Sequence, residues 1–270
     1  MHITTRPLTS ADKEQALWVE AGAMPRNRYL AEVWNLFTRE GGGALLGAFV
    51  GHDLAGLGKI TRLYGDYGWL ETLRVHPDWQ RKGVGRAVWR GYFEEMEKMG
   101  LKSAGMYTED YNVASKTLAE SFGLTVRGFY TEHVAPAEPA PAAEAEFSPV
   151  PADRGEAVLS KHYHDLPPYL VVNRTFYPVA EGLGRHCAAR GWLHQNRTGG
   201  VLVAGNRFHP QRLLHCPYSS GEADQALAEA RRLAAAQGAP SISRLAPAKA
   251  SSIPPQFRRA DSFMTLWIDL

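Results

Sequence analysis

Two glycines and three basic residues lie together where a strand pattern gives way to a helix pattern. The run Gln80-Arg81-Lys82-Gly83-Val84-Gly85-Arg86 follows Pro77, and apolar residues then recur at helical spacing up to Gly100. We therefore expect a helix that begins at these glycines and ends in a glycine cap. The first turn of a helix has unpaired N–H groups and a partial positive charge, and glycines let an anion approach the backbone. With its three basic side chains, the stretch predicts a binding site for a di- or triphosphate group.

Other readings of the same glycine turn are weaker. The Walker phosphate loop needs G-x-x-x-x-G-K-[ST], and the Rossmann fingerprint needs three glycines with an acidic residue about twenty positions on. Neither pattern is present here. A tight strand-to-helix turn with solvated basic side chains is the structural alternative.

A family resemblance rests on this loop and on a second motif. Gln80-x-x-Gly83-x-Gly85, after a strand that ends in Val75-His-Pro, strongly resembles the pyrophosphate loop of the GNAT superfamily of acetyl-CoA-dependent N-acyltransferases. Further on, Asn112 begins a helix that closes in Phe122-Gly-Leu, similar to the Asn-led helix of that family. The two motifs cover roughly the first half of the chain.

The resemblance implies how coenzyme A would lie. Backbone groups of Leu73 and Val75 would pair with the pantetheine arm where the sheet splays, and the N–H groups of residues 81–86 would hold the pyrophosphate. Asn112 would contact the arm, although it is equally suited to capping its helix. The full cofactor-binding set is Leu73, Arg74, Val75, Gln80, Arg81, Lys82, Gly83, Val84, Gly85, Arg86, Asn112, Ser115 and Lys116.

Acyl transfer to an amine also needs a base and a proton source. Glu71 lies on the splayed strand and is our candidate catalytic base, acting directly or through a water; the alternative is a half-exposed strand residue. Many relatives carry a tyrosine general acid where this chain has Ala119. Tyr107, Tyr111, Tyr130 or water would have to replace it.

Two predicted helices, one beginning near Ser10 and one at residues 29–37, precede the strands. Their apolar residues have helix spacing and are expected in the core, but in the resembling family this helical pair overhangs the acceptor. Tyr29 and Trp34 are therefore also candidates for substrate contacts.

Composition narrows the class of protein. The 270 residues include 30 basic and 28 acidic ones, so the formal charge of +2 does not indicate a nucleic-acid partner. Two cysteines, Cys187 and Cys216, do not form a disulfide or zinc framework, and His162-Tyr-His164-Asp165 is read as surface sequence, so we expect no metal. With no apolar leader or membrane-length segment, we expect a cytoplasmic protein, monomeric or homodimeric, with no membrane partner.

The second half of the chain repeats the order of predicted elements found in the first half. A Pro/Ala/Glu tract at residues 135–146 is the clearest linker, and Pro77 and Pro217, like Gly100 and Gly238, are about 140 residues apart. We predict an α/β fold with mixed sheets: two GNAT-like folds in tandem, 1–134 binding acetyl-CoA and 147–270 degenerate. The second copy carries Glu222 and Asp224 where the first has its basic loop, and these carboxylates would repel a pyrophosphate. The last segment, 262–270, is expected to complete the second sheet or to lend a strand to the first.

These observations predict an N-acetyltransferase that moves an acetyl group from acetyl-CoA to an amine of a small-molecule or peptide acceptor by direct attack. Two alternatives remain open at this stage. The missing tyrosine and the degenerate second half suggest a non-catalytic acyl-CoA sensor or interaction module, and the glycine turn alone would also suit a nucleotide-binding protein.

Overall fold

The computed structural model describes residues 1–26, 28–40, 42–137, 147–209, 211–250 and 253–270. The chain divides into two compact units that are not continuous in sequence. The first comprises Met1–Met106, Val113–Thr125 and Leu266–Leu270, and the second comprises Tyr107–Asn112 and Val126–Thr265.

The first unit contains most of the predicted elements of the first half. Gly100, with φ +61°, follows the long helix as expected. Short 3-10 turns at Ser10–Asp12 and Pro77–Trp79 and a π turn at Leu36–Glu40 accompany the main elements. In chain order these are β1 (Thr4–Pro7), α1 (Lys13–Ala23), α2 (Leu30–Asn35), β2 (Ala44–Val50), β3 (Asp53–Arg62), β4 (Tyr67–Val75), α3 (Val84–Lys98), β5 (Ser103–Glu109) and α4 (Val113–Glu120).

Strands β1 to β5 are neighbours in chain order within a mixed sheet. The first four pair antiparallel, whereas β4 and β5 pair in parallel and are connected through α3. Trp69 on β4 and Trp89 and Tyr92 on α3 are almost fully buried. The helix α3 is therefore fixed against the sheet by its apolar stripe, which places its N-terminus beyond the end of β4.

The second unit holds the remaining elements. Its sheet has the strand order β14, β6, β13, β12, β11, β10, β7, next to a separate hairpin formed by β8 and β9. A 3-10 turn at Ser160–His162 follows the first helix. The elements are β6 (Thr125–Pro136), β7 (Phe147–Pro149), α5 (Ala152–Leu159), β8 (Tyr169–Val172), β9 (Thr175–Pro178), α6 (Leu183–Ala189), β10 (Leu193–Asn196), β11 (Val201–Gly205), β12 (Leu214–Ser219), α7 (Ala223–Ala236), β13 (Ser241–Pro247) and β14 (Arg258–Asp269).

The same substructure occurs in both units. In each, an antiparallel pair (β3–β4 or β11–β12) leads through a long helix (α3 or α7) to a strand parallel to the second member (β5 or β13). The register of β12 against β11 shifts by one residue between Val203 and Gly205, as the register of β4 against β3 shifts between Leu57 and Lys59. The tandem arrangement of two similar folds is thus visible in the backbone itself.

The second copy of the repeat differs from the first in two details. Pro217 lies inside β12, at its bulge, whereas Pro77 lies in the turn after β4; a bulge tolerates proline because an extra residue there makes no ladder bond. Ser219 and Glu222 have the spacing of a capping box but do not form one, because α7 begins at Ala223 with Glu222 itself as N-cap.

The unit boundaries differ from the predicted division at 134. Residues of β6 after Thr125 lie in the second unit, and Leu266–Leu270 at the end of β14 lie in the first. There Ser103 Oγ donates to the Ile268 carbonyl at 3.0 Å, and the Leu270 N–H donates to the Lys102 carbonyl at 2.8 Å. Of the predicted linker, Ala135 and Pro136 belong to β6, and residues 138–146 lie outside the described residues.

Candidate active site

The N-terminus of α3 has the geometry of an anion site. Gly83 is the N-cap in a left-handed conformation with φ +88°, and the first intrahelical bond runs from the Ala87 N–H to the Gly83 carbonyl at 3.0 Å. The N–H groups of Val84, Gly85 and Arg86 therefore have no acceptor within the helix. They point along the helix axis toward the loop, where the helix dipole adds a partial positive charge.

The protein itself does not require glycine at position 85. Gly85 does not have a positive φ, and an added Cβ would lie 3.4 Å from Leu118 Cδ2 and 3.7 Å from Val75 Cγ2, which are ordinary contacts. Gly83, in contrast, needs its left-handed φ. The absence of a side chain at 85 thus lets a bound group approach the backbone at the helix start.

The basic side chains of the loop are available to a ligand. Arg81, Lys82 and Arg86 are exposed, and none forms an ion pair with any residue of the described ranges. Lys82 Nζ lies 5.1 Å from the Trp79 ring centroid, and Arg86 Cζ lies 6.0 Å from that of Phe122. Their positive charge therefore remains uncompensated around the N–H groups of α3.

A bulge reshapes β4 just before the loop. Leu57 and Lys59, two apart on β3, pair with Arg74 and Glu71, three apart on β4, so β4 has one extra residue. Thr72 lies at this bulge with φ +60°. A left-handed conformation of a β-branched residue costs of order 1–3 kcal/mol, and such strain is concentrated at functional sites.

Beyond the bulge, β4 leaves its parallel neighbour. The parallel register with β5 ends at the Trp69–Gly105 pair. The Leu73 carbonyl accepts from Arg74 Nη1 at 3.0 Å and the Val75 carbonyl from Gln80 Nε2 at 3.3 Å. Each carbonyl thus accepts one side-chain hydrogen bond, and because a carbonyl oxygen has two lone pairs, each can also accept from a ligand.

Glu71 directly precedes the bulge of β4 and is held there by hydrogen bonds. Its Oε1 accepts a 2.6 Å hydrogen bond from Thr61 Oγ1, and its backbone carbonyl accepts from the Tyr92 hydroxyl at 3.2 Å. Its Cα partner on β3 is Lys59, whose side chain is fully buried and donates from Nζ to the Gly42 carbonyl at 3.1 Å. The carboxylate is thus fixed by a neighbouring hydroxyl and lies opposite a cationic residue.

Tyr29 joins this group, and Trp34 does not. The Tyr29 hydroxyl lies 2.8 Å from Thr72 Oγ1 at the bulge, whereas Trp34 is 4% exposed and belongs to the core. Glu20, which the sequence reasoning missed, accepts hydrogen bonds from the Tyr29 and Leu30 N–H groups at 3.0 and 2.9 Å. An acidic residue ten before the start of a helix gave no local signal, because its partners are brought to it only by the turn between α1 and α2.

The α4 segment adds fewer contacts. Leu118 packs near Gly85, so α4 lies beside the start of α3, with Ser115 half-buried and Lys116 Nζ 3.7 Å from Glu120 Oε1. Ala119, where relatives have the tyrosine, is completely buried. Asn112 directly precedes α4 but belongs to the second unit.

The tyrosines proposed as replacement acids lie in the second unit. Tyr130 packs edge-on against Phe176 with centroids 4.8 Å apart, and burial raises its pKa. Tyr111 is 78% exposed, and Tyr107 packs against Phe263.

The second unit lacks the loop altogether. Residues 220–222 separate β12 from α7, whereas residues 76–83 separate β4 from α3. Glu222 is the N-cap of α7, and Asp224 lies in its first turn. The start of α7 therefore lacks the glycine N-cap and the basic side chains found at the start of α3.

The described residues show neither a metal-binding cluster nor a membrane-spanning helix. His164 Nε2 lies 3.2 Å from Asp165 Oδ2, but in the part of the chain that the structure describes no three His, Cys, Asp or Glu side chains are grouped to hold a metal ion. Among the described helices, none has the length and apolar character needed to cross a bilayer.

The first half of the chain is similar in sequence to known proteins. Residues 11–124 match the Acetyltransferase (GNAT) family. A ribosomal protein bS18-alanine N-acetyltransferase of Escherichia coli (strain K12) is 35% identical over 74 residues, which are 26% of this chain and 50% of that protein. The chain thus spans about half the length of the curated relatives it matches.

Solved structures resemble the whole chain. A GCN5-related N-acetyltransferase from Sphaerobacter thermophilus has a TM-score of 0.65 at 10% identity, over 99% of this chain and 95% of that one. A tandem GNAT protein from the clavulanic acid biosynthesis pathway has a TM-score of 0.59 at 15% identity, over 99% and 98%. At such identities the likeness concerns the fold. Residues 11–124 are thus similar to the GNAT family, and the overall fold of the chain is that of a tandem GNAT protein.

Proposed function

We propose that the protein is an acetyl-CoA-dependent N-acetyltransferase with a single cofactor site in its first unit. The observation that carries the proposal is the start of α3, where three unpaired N–H groups, a position without a side chain at Gly85 and basic side chains without ion pairs among the described residues coincide. These groups match a pyrophosphate in charge and hydrogen-bonding capacity. The carbonyls of Leu73 and Val75 suit the amide donors of a pantetheine arm, and Ser115 and Lys116 lie on the adjacent helix.

Bound acetyl-CoA supplies a thioester. The acceptor nitrogen attacks its acyl carbon, so that an N–C bond forms, the C–S bond breaks and the sulfur leaves as thiolate. Glu71, held by Thr61, takes the proton of the attacking amine directly or through a water. Because Ala119 has no hydroxyl, the proton for the thiolate comes from water or from another group. The products are an N-acetyl amide and free CoA.

For the acceptor we propose an amine of a small molecule or a peptide. The named activity of the Escherichia coli relative, on the alanine of a ribosomal protein, makes a peptide N-terminus one arm of the test. The nearly neutral charge of the chain argues for neither nucleic acid nor membrane as a partner.

The test is release of free thiol from acetyl-CoA in the presence of a panel of small amines and short peptides. We expect thiol release that depends on an acceptor and is lost in Glu71→Gln, with retained CoA binding. The buried Ala119 favours one second candidate, a non-catalytic acyl-CoA sensor. Tight CoA binding without thiol release on any amine would select the sensor.

A further inference from the structure

Arg74 is a half-buried cation without an ion-pair partner among the described residues. It follows the β4 bulge, and its guanidinium makes one hydrogen bond, from Nη1 to the adjacent Leu73 carbonyl. Its Nε is buried without a hydrogen-bond partner. Across the described residues no carboxylate forms an ion pair with it. Desolvating a guanidinium without a counter-charge is unfavourable, so an anion brought by a ligand would be bound with a net gain.

Arg74 lies on the side of the sheet where we place the acceptor. Its Cζ is 6.0 Å from the Tyr29 ring centroid, and Tyr29 bonds to Thr72 at the bulge. Tyr29 in turn packs edge-on against Phe37, with centroids 6.5 Å apart. These contacts put the guanidinium beside the helical pair rather than at the basic loop that begins α3.

Glu71 is close to the same point. Burial raises the pKa of the Tyr92 hydroxyl, the Glu71 carboxylate raises it further, and the Arg74 guanidinium lowers it. Both charges therefore act on one buried hydroxyl, which itself donates to the Glu71 carbonyl. The Glu71 carboxylate and the Arg74 guanidinium thus lie on either side of the bulge, in the same region as the Tyr29 ring.

We propose that Arg74 selects acceptors that carry a carboxylate, or another anionic group, a few bonds from the reacting amine. The inference rests on the proposed function of the same site and names its substrate class. A guanidinium matches a carboxylate with two parallel hydrogen bonds, while Glu71 faces the amine. The pair complements a zwitterion, and Arg74 disfavours acceptors whose only additional charges are positive, such as polyamines.

Matched acceptors test this selection. The panel contains free amino acids against their α-amides, acidic tripeptides against their Asn or Gln counterparts, and a polyamine. Charge-assisted hydrogen bonds of this kind are expected to favour the carboxylate member by about tenfold or more in kcat/KM. Free amino acids and acidic peptides share the chemistry, and the two arms tell which source is used.

Substitution of Arg74 then assigns the preference to this side chain. Arg74→Gln should abolish the preference, Arg74→Glu should reverse it, and Arg74→Lys, which keeps the charge but not the planar fork, should retain part of it. Arg90→Gln, an exposed arginine on α3, is the matched control. The effect should appear in KM for the acceptor, with KM for acetyl-CoA almost unchanged.

Direct binding separates this inference from the proposed function. Ligand-observed NMR with CoA-saturated protein should show binding of the carboxylate member and weaker binding of its amide, even if no acceptor is turned over. Equal binding of both members, a preference that survives in Arg74→Gln, or a rise in KM for acetyl-CoA alone would overturn the inference. Absence of thiol release with every amine would instead overturn the proposed function, while the binding comparison still decides the role of Arg74.

Discussion

Thr61 Oγ1 donates a 2.6 Å hydrogen bond to Glu71 Oε1 across the β3–β4 pair. Thr61 is 4% exposed, and its hydroxyl fixes one oxygen of the carboxylate. The neighbouring bulge sets the register that brings the two residues together. Glu71 is therefore a positioned group, which is what a base must be to meet an amine at a defined distance.

Removal of that hydroxyl is expected to reduce turnover without affecting cofactor binding. A hydrogen bond to a charged group contributes about 1.5–3 kcal/mol, so Thr61→Val should lower kcat roughly tenfold or more. Thr61→Ser keeps the hydroxyl and should restore most of the rate. Steady-state kinetics with CoA affinity measured in parallel checks this; a Thr61→Val enzyme with the rate of the wild type would show that the bond positions nothing of consequence.

Gly85 separates folding from cofactor binding. Because a Cβ at this position meets only ordinary contacts and alanine favours helix, Gly85→Ala should not lower stability and could add about 0.5–1 kcal/mol. CoA affinity should nevertheless fall, by about tenfold or more if one N–H contact to the pyrophosphate is lost. Calorimetry and urea unfolding of the same variant provide both readouts.

Gly91→Ala is the matched control in the same helix. Its Cβ would lie 3.1 Å from Leu46 Cδ1, so this variant should lose some stability yet bind CoA normally. The opposite pattern, with Gly85→Ala binding CoA as the wild type does, would contradict the assignment of the helix start.

How far the sequence predicts the structure depends on how local each feature is. The start of α3 was predictable because glycines, basic residues and helical periodicity all lie within one short stretch. The bulge at Thr72 was not, because it depends on the pairing of β4 with β3 and on a left-handed threonine that no propensity favours. Glu20 was missed for a similar reason, since the backbone groups it binds are positioned by the turn between two helices.

The tandem repeat illustrates the same limit. Its helix and strand order could be recognised from spacing. The sequence did not decide whether the last strand belongs to the second sheet or to the first. The structure assigns Leu266–Leu270 to the first unit, where Trp267 packs against Gly105 and lies 6.0 Å from the Trp69 ring. Such long-range pairing leaves no signal in the intervening sequence.

The end of the chain should therefore stabilise the first unit. Trp267 is 3% exposed, and loss of a buried tryptophan side chain costs about 3–5 kcal/mol, so Trp267→Ala should strongly lower the free energy of unfolding. Phe129→Ala, at a side chain that is 53% exposed, should change it by no more than about 0.5 kcal/mol. Urea unfolding monitored by fluorescence, with and without CoA, tests this prediction. Equal effects of the two substitutions on the free energy of unfolding would refute the role of the last strand.

Buried histidines should make the second unit sensitive to acid. Burial lowers the pKa of His215 to about 4, with Glu132 raising it and Arg174 lowering it, and burial likewise lowers the pKa of His186 to about 4. Unfolded imidazoles titrate near 6.5, so between these values the unfolded state binds more protons and stability falls as pH falls. For His215 the full loss is roughly 3 kcal/mol, complete below pH of about 4.

His215→Gln removes this titration. The variant should start from a lower stability at pH 7 but lose less of it between pH 6.5 and 4 than the wild type, as measured by unfolding at a series of pH values. Parallel pH profiles of the two proteins would show that His215 does not titrate in this window.

The cofactor site is tested by a titration of the protein with CoA, monitored by calorimetry and by backbone amide NMR. We expect one CoA to bind per chain, with the Gly83 and Gly85 amide signals shifting and the signal of Gly221, before α7, unchanged. No heat and no shift at Gly83 or Gly85, or shifts centred on Gly221, would contradict the cofactor site and the acetyltransferase activity proposed from it.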